Sequence, residues 1–350
     1  HAIAFIERPC QAACGMDAIG LDENGKARID YDRCVSCGQC LVSCPFGAIV
    51  DKSQIFQVVR SIAEGNTVVA IVAPSFVGQF GKNVTVPKFV AAMKQLGFSD
   101  VVEVAAGADV CAIEEARDFV EKVPAQQKFL ATSCCPSWRM MARRLFPDES
   151  GNISMTYTPM IYTARLVKHT HPGSKVVFIG PCAAKKLEAM QQELRSDVDF
   201  VLTYEELMGI FEAKAIDFSQ LPDTDDLHDA SGLGRGFAAA GGVAAAVEEV
   251  LRRTQPDMEV KIQRADGLRE CRRLLTLAKA GKFDGYLLEG MACPGGCVAG
   301  AGTIIPAEAA KKQLDAHAKQ ATVFSCAESP YRAFAGLLEE PAAREEETKR

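Results

Sequence analysis

The chain reads as an α/β protein with helices flanking largely parallel sheets, preceded by a small cysteine-rich α+β domain. Three observations predict this. Short continuous apolar runs at 67–73 and 175–180 have the composition of buried strands. Helical patterns alternate with such runs through most of the chain. Residues 1–50 are instead Gly- and Cys-rich and lack long helical patterns. A segment that short is normally held together by metals or disulfides rather than by a core.

The elements follow in order. Ile55, Val58, Val59 and Ile62 have helical spacing, which predicts a linker helix over 51–64. The strand at 67–73 is followed by a helix around 87–96 and a short strand near 101–104. Helices are expected over 108–123, 139–146 and 160–169. The strand at 175–180 leads into a helix around 184–194, and 199–203 is another strand. Thr203 and Glu206 make a capping box for the next helix. A helix over 241–254, a strand over 258–263, a helix over 268–280 and a strand over 284–289 complete the alternation. In such folds the chemistry sits beyond the carboxyl ends of the strands. From Glu339 charge dominates, which predicts a solvated tail over 339–350.

Composition excludes several classes. A net charge of −6 offers no basic stripe for nucleic acid. No apolar run approaches the ~20 residues that span a bilayer. No basic region followed by an apolar one opens the chain, so a cytoplasmic setting is expected. Residue 1 is His, and the true start is expected upstream.

Cysteine is the informative residue. Eleven of the 14 cysteines fall in motif-like groups. A disulfide framework belongs to short secreted chains, so close spacing here favours metal binding. Cys34, Cys37, Cys40 and Cys44, followed by Pro45, match the bacterial ferredoxin run of four cysteines and a proline. In that pattern the fourth cysteine serves the other cluster. Cys10 and Cys14 form the upstream half-motif, with Gly15 in place of the usual proline. One [4Fe–4S] cluster is therefore assigned to Cys14, Cys34, Cys37 and Cys40. A second would use Cys10, Cys44 and two cysteines ahead of residue 1. The competing reading is structural zinc, which usually takes two separated cysteine pairs.

Three further groups lie far apart: Thr132 to Trp138 with Cys134 and Cys135, Gly180 to Glu188 with Cys182 and Lys185, and Glu289 to Cys297 with Met291, Cys293 and Cys297. In order and spacing they resemble the three H-cluster motifs of the [FeFe]-hydrogenases. The resemblance runs over about 65–335 and includes Ala73-Pro74-Ser75, Gly107-Ala108-Asp109, stretches within 231–243, and Ser329-Pro330. It implies a two-lobed hydrogenase domain over 66–338, behind a ferredoxin-like dicluster domain over 1–50 and a linker helix over 51–65. It implies that Cys135, Cys182, Cys293 and Cys297 hold a [4Fe–4S] cube. Cys297 would bridge to a diiron subsite carrying carbonyl, cyanide and a dithiolate.

The same resemblance gives roles to the surrounding residues. Cys134 would be the first proton relay, with a small buried thiol as the plainer alternative. Glu115 and Asp118 share one helix face and would continue the path with Ser154; a solvated acidic face is the alternative. Lys185 would donate to one cyanide, with Lys186 exposed. Backbone around Pro74 and the Ser75 hydroxyl would hold the other cyanide. Phe237 and Met291 would line the site, and core packing is a live alternative for both. Gly180, Met160 and Ala301 depart from the family, which has Met, Gln and Gly there. The activity implied is reversible reduction of protons to dihydrogen with ferredoxin as electron carrier, after assembly by diiron-site maturation proteins. A hydrogen sensor of low turnover and a non-catalytic iron–sulfur scaffold are the alternatives. Cys111, Cys271 and Cys326 lack motif context and are expected to be ordinary buried thiols.

Overall fold

A computed structural model describes residues 8–223, 227 and 229–338. The charged tail expected over 339–350 lies outside the described residues, as does the segment 1–7.

The N-terminal segment is built from α1 (Pro9–Ala12), the antiparallel hairpin β1 (Ile19–Leu21) and β2 (Ala27–Ile29), and α2 (Gln39–Val42). Its few buried apolar residues, Met16, Ala18 and Val35, join the core of the following region rather than forming their own. The linker helix is α3 (Ile55–Ala63).

The rest of the chain carries two parallel sheets. The larger is ordered β4-β3-β6-β7, with β3 (Val68–Val72), β4 (Asp100–Glu103), β6 (Lys175–Gly180) and β7 (Phe200–Thr203). The smaller is ordered β5-β9-β8, with β5 (Leu130–Ala131), β8 (Lys261–Asp266) and β9 (Tyr286–Met291). Every residue of β3 is buried, because helices cover both faces of its sheet. On one face α3, α4 (Val86–Leu96) and α9 (Tyr204–Ala213) pack through Val58, Phe89, Met93, Leu207 and Phe211. On the other, α7 (Pro159–Thr170) supplies Met160, Ile161 and Ala164. The smaller sheet lies between α5 (Ala105–Lys122) with α11 (Gly242–Thr254) and α6 (Pro136–Leu145) with α12 (Leu268–Lys279).

The predicted α/β class holds, as does the Thr203–Glu206 capping box, present in both directions. Two expectations shift, and two helices are additions. The helix after β6, α8 (Ala184–Ala189), stops short of residue 194. The strand expected over 258–263 forms at Lys261–Asp266, where it pairs with β9. The short α10 (Gly232–Gly236) and the helix α13 (Ala307–Ala318) were not read from the sequence.

Candidate active site

The carboxyl ends of both sheets face one cavity of about 80 Å3. The loop after β3 brings Ala73 and Pro74 to it, and the loop after β5 brings Cys134 and Cys135. The loop after β6 brings Cys182 and Lys185, and the loop after β9 brings Cys293 and Cys297. Met160, Phe178, Phe237 and Met291 complete an almost wholly apolar wall.

The three cysteine groups are tied to one another. Trp138 is fully buried, donates from Nε1 to the Thr132 carbonyl at 3.0 Å, and lies against Gly290 so closely that a Cβ there would enter its ring. The first group is thus locked onto the strand that carries the third. The Gly302 amide donates to the Pro181 carbonyl at 2.9 Å, joining the third group to the second. Lys185 Nζ donates to the Cys134 carbonyl at 3.4 Å, joining the second to the first. Gly296 has φ +93°, and a Cβ there would lie 2.5 Å from the Ala240 amide nitrogen, so only glycine fits. Pro136 sits at the start of α6, with Cys135 as its extended N-cap.

Electrostatics bears on what this ring of thiols could hold. Burial first, and then neighbouring thiols of the ring, push Cys182 up to about 11 and Cys297 up to about 12. Cys293 is raised in the same way, first by burial and then by Cys182, Cys135 and Cys297. Thiols that hinder one another's ionisation relax when iron takes their protons' place. Among the described residues no three His, Cys, Asp or Glu side chains converge tightly enough for a single metal ion. The sulfurs ring a volume instead. The donor set therefore fits an iron–sulfur cluster.

A second cavity, of about 470 Å3, is lined by Cys14, Cys34, Cys37 and Cys40. Cys37 lines both cavities. Burial and the neighbouring Cys40, Cys14 and Cys34 push Cys37 up to about 12, so these four thiols also sense one another. Cys10 is buried, and Cys44 accepts the Ala48 amide at 3.3 Å. Neither lines this cavity.

Glu115 is fully buried. Its Oε1 accepts from the Ser133 amide at 2.8 Å and the Ser133 hydroxyl at 3.0 Å, while Oε2 has no hydrogen-bond partner among the described residues. Burial pushes it up to about 7. The Cys134 thiol is raised well above its ordinary value, first by burial and next by Glu115. Ser154 Oγ donates to Asp118 at 3.3 Å, and Asp118 pairs at 2.8 Å with the half-exposed Lys122. Of the four residues read as a path, Glu115 is set electrostatically against Cys134, and Ser154 is bonded to Asp118, whose other partner is Lys122.

Other placements refine the expectations. Lys185 is buried and bonded to Glu188 at 2.6 Å; burial alone would lower its pKa, but Glu188 holds it raised and charged. Lys186, expected to be exposed, is buried: it binds Glu206 at 2.9 Å and Asp51 at 2.8 Å, clamping the linker to the start of α9. Ser75 is buried with its hydroxyl 2.8 Å from that of Tyr204. A Cβ on Gly180 would meet the Phe178 ring at 2.6 Å, so Phe178 fills the space a side chain at 180 would need. Ala301 packs against Gly38 of the N-terminal segment. Glu289 was not singled out, yet its carboxylate accepts from the Gly241 and Ala244 amides at 2.6 and 2.7 Å and anchors the start of α11 beside the cavity. Cys111, Cys271 and Cys326 are buried as expected.

A cysteine-ringed cavity between two parallel sheets, with a second four-cysteine cavity beside it, defines a protein whose donor sets fit iron–sulfur clusters. Residues 66–301 match the iron-only hydrogenase large subunit, C-terminal domain, and residues 4–55 match an LdpA Fe-S cluster-binding domain. The chain belongs to the iron-only hydrogenase large-subunit family. It is 30% identical to the periplasmic [Fe] hydrogenase large subunit of Nitratidesulfovibrio vulgaris, over 79% of this chain and 85% of that one. It is 31% identical to the NADP-reducing hydrogenase subunit HndD of Solidesulfovibrio fructosivorans, over 77% of this chain but 55% of that one, so it spans about half the length of that relative. Cytosolic iron-sulfur assembly component 3 of Bos taurus is 26% identical over 84% of this chain and 76% of its own. The apo [FeFe]-hydrogenase HydA1 of Chlamydomonas reinhardtii, variant C377H, shares the fold, with TM-score 0.67, 20% identity, and 84% and 96% of the two chains covered. Among the described residues no helix is long and apolar enough to cross a membrane.

Proposed function

We propose that the chain is a hydrogenase that reversibly reduces protons to dihydrogen with electrons delivered through [4Fe–4S] clusters. What supports this reading is the grouping beside the thiol-lined cavity: Cys134 on its wall, Glu115 buried and set electrostatically against that thiol, and Ser154 bonded to Asp118. A scaffold that merely holds a cube has no use for such a path or for a buried lysine on the cavity wall.

In this reading Cys135, Cys182, Cys293 and Cys297 would hold the cube, with Cys297 the thiolate that would be shared with a diiron subsite. When bound, that cofactor supplies the electrons and the Lewis-acidic iron that dihydrogen chemistry requires. The protein's own work is proton supply and confinement. Cys134 stays a neutral thiol, because burial and Glu115 oppose its ionisation. It can therefore pass one proton inward while taking another from behind. Glu115, poised near neutrality, accepts and returns protons at little cost. Lys185 sets a buried positive charge against an anionic cofactor, and Met160, Phe178, Phe237 and Met291 keep water out. The cavity shared at Cys37 supports electron entry from the N-terminal cluster. A ferredoxin as carrier, maturation proteins that insert the diiron unit, and a cytoplasmic setting belong to the same proposal.

The test is infrared spectroscopy of protein matured with its diiron cofactor, together with a dihydrogen assay. Carbonyl and cyanide stretching bands with turnover are expected. No bands on a cube-loaded protein would favour the scaffold, and bands with negligible turnover would favour a sensor.

A further inference from the structure

Ser75 follows β3 and Tyr204 follows β7, strands of the larger sheet that are not neighbours, yet both residues are fully buried with their hydroxyl oxygens 2.8 Å apart. The Tyr204 hydroxyl is also 3.1 Å from the Ala73 carbonyl. Two protons are shared among these three oxygens, and two orderings are open to them. In the first, Ser75 donates to Tyr204 and Tyr204 donates to the Ala73 carbonyl. Both protons are then consumed inside the trio. In the second, Tyr204 donates to Ser75 Oγ and the serine proton is released. The Ala73 carbonyl is not orphaned by this change, because the Phe76 amide also donates to it at 3.0 Å. The second ordering leaves only the serine proton without an acceptor in the trio, so it is cheap where a ligand accepts that proton.

The surroundings hold everything else still. Gln79 donates to the Ser75 carbonyl at 3.1 Å and accepts the Ile304 amide at 2.8 Å, which pins the Ser75 backbone to the segment after Cys297. Tyr204 is the first residue of α9 behind its capping box, and its ring packs edge-on against Phe80. Burial holds the phenol well above its ordinary pKa, so it remains a donor. Pro74, next to Ser75, lies on the cavity wall.

We propose that Tyr204 is a positioning residue for the Ser75 hydroxyl: by donating to Ser75 Oγ it frees the serine proton for an anionic, hydrogen-bond-accepting ligand in the adjoining cavity. This rests on the hydrogenase reading above, in which Ser75 faces a cyanide. Without such a ligand the trio keeps its closed ordering; with one it adopts the open ordering. Tyr204 never touches the cofactor and acts only through Ser75.

The test is a four-protein cycle of wild type, Ser75→Ala, Tyr204→Phe and the double variant, each matured and read by infrared spectroscopy, with thermal unfolding as a check of the fold. Cyanide bands in the wild type secure the underlying reading independently. Tyr204→Phe should then shift or broaden a cyanide band, and the same substitution in the Ser75→Ala background should change nothing further. An equal effect in both backgrounds, or no effect in either, overturns the inference. So does a Tyr204→Phe protein that refuses the cofactor while Ser75→Ala accepts it, because a residue acting through Ser75 cannot cost more than the serine hydroxyl itself.

Discussion

Glu115 combines complete burial, one satisfied oxygen and one without a partner among the described residues. Its folded pKa of about 7 lies above the ordinary 4.5, so between these values the folded protein holds a proton that the unfolded chain has lost. Stability must therefore fall as pH rises from about 4.5 to about 7 and level off above, an effect of about 3 kcal/mol from this group. Glu115→Gln should remove that slope, measured as the difference between variant and wild-type denaturation midpoints from pH 4.5 to 8. An unchanged slope would show that Glu115 is ionised throughout. Cys134→Ala should lower dihydrogen turnover about 100-fold or more while leaving carbonyl and cyanide bands in place; full turnover would remove Cys134 from the path. The cysteines were legible in the sequence because thiol spacing carries chemistry by itself. Tyr204, Glu289 and Phe178 were not. An ordinary tyrosine, glutamate or phenylalanine acquires its role only from what the fold sets against it, here Ser75, the start of α11 and the bare Gly180.

At the scale of elements, most helices and strands were legible because apolar runs and helical spacing agree with burial. The exceptions have physical causes. Strand β8 is an edge strand with no fully buried residue, so its limits follow the pairing with β9 rather than its own hydrophobicity. Helix α13 is short of large apolar residues and buries only Ala310, Leu314 and His317. Lys186 was misread because nothing local announces that Asp51 and Glu206 will converge on it. Lys186→Met would leave those carboxylates facing each other across a poorly solvated gap, so the variant should lose about 3 kcal/mol in chemical denaturation. A loss near zero would mean that water replaces the ammonium freely. Gly290→Ala tests the lock between Trp138 and β9: a methyl group pushed into the indole should cost about 2 kcal/mol or more and disturb the thiol ring with it. A variant of unaltered stability would show that Trp138 can move aside.

The whole molecule is two parallel sheets, each covered on both faces, whose carboxyl ends open onto one volume. That arrangement gathers cysteines separated by more than a hundred residues. The N-terminal segment, by contrast, lends its few apolar side chains to a neighbouring core. Removing iron should therefore unfold residues 8–50 first. Hydrogen exchange should show lost protection in that segment while β3 and β6 stay protected, and uniform loss across both would contradict this division. The central claim concerns where the iron sits, and anomalous scattering at the iron edge from crystals of the iron-loaded protein tests it most directly. The account predicts one group of iron peaks enclosed by the sulfurs of Cys135, Cys182, Cys293 and Cys297, and another among Cys14, Cys34, Cys37 and Cys40. Iron confined to the second group, with the first four sulfurs bare, would contradict it.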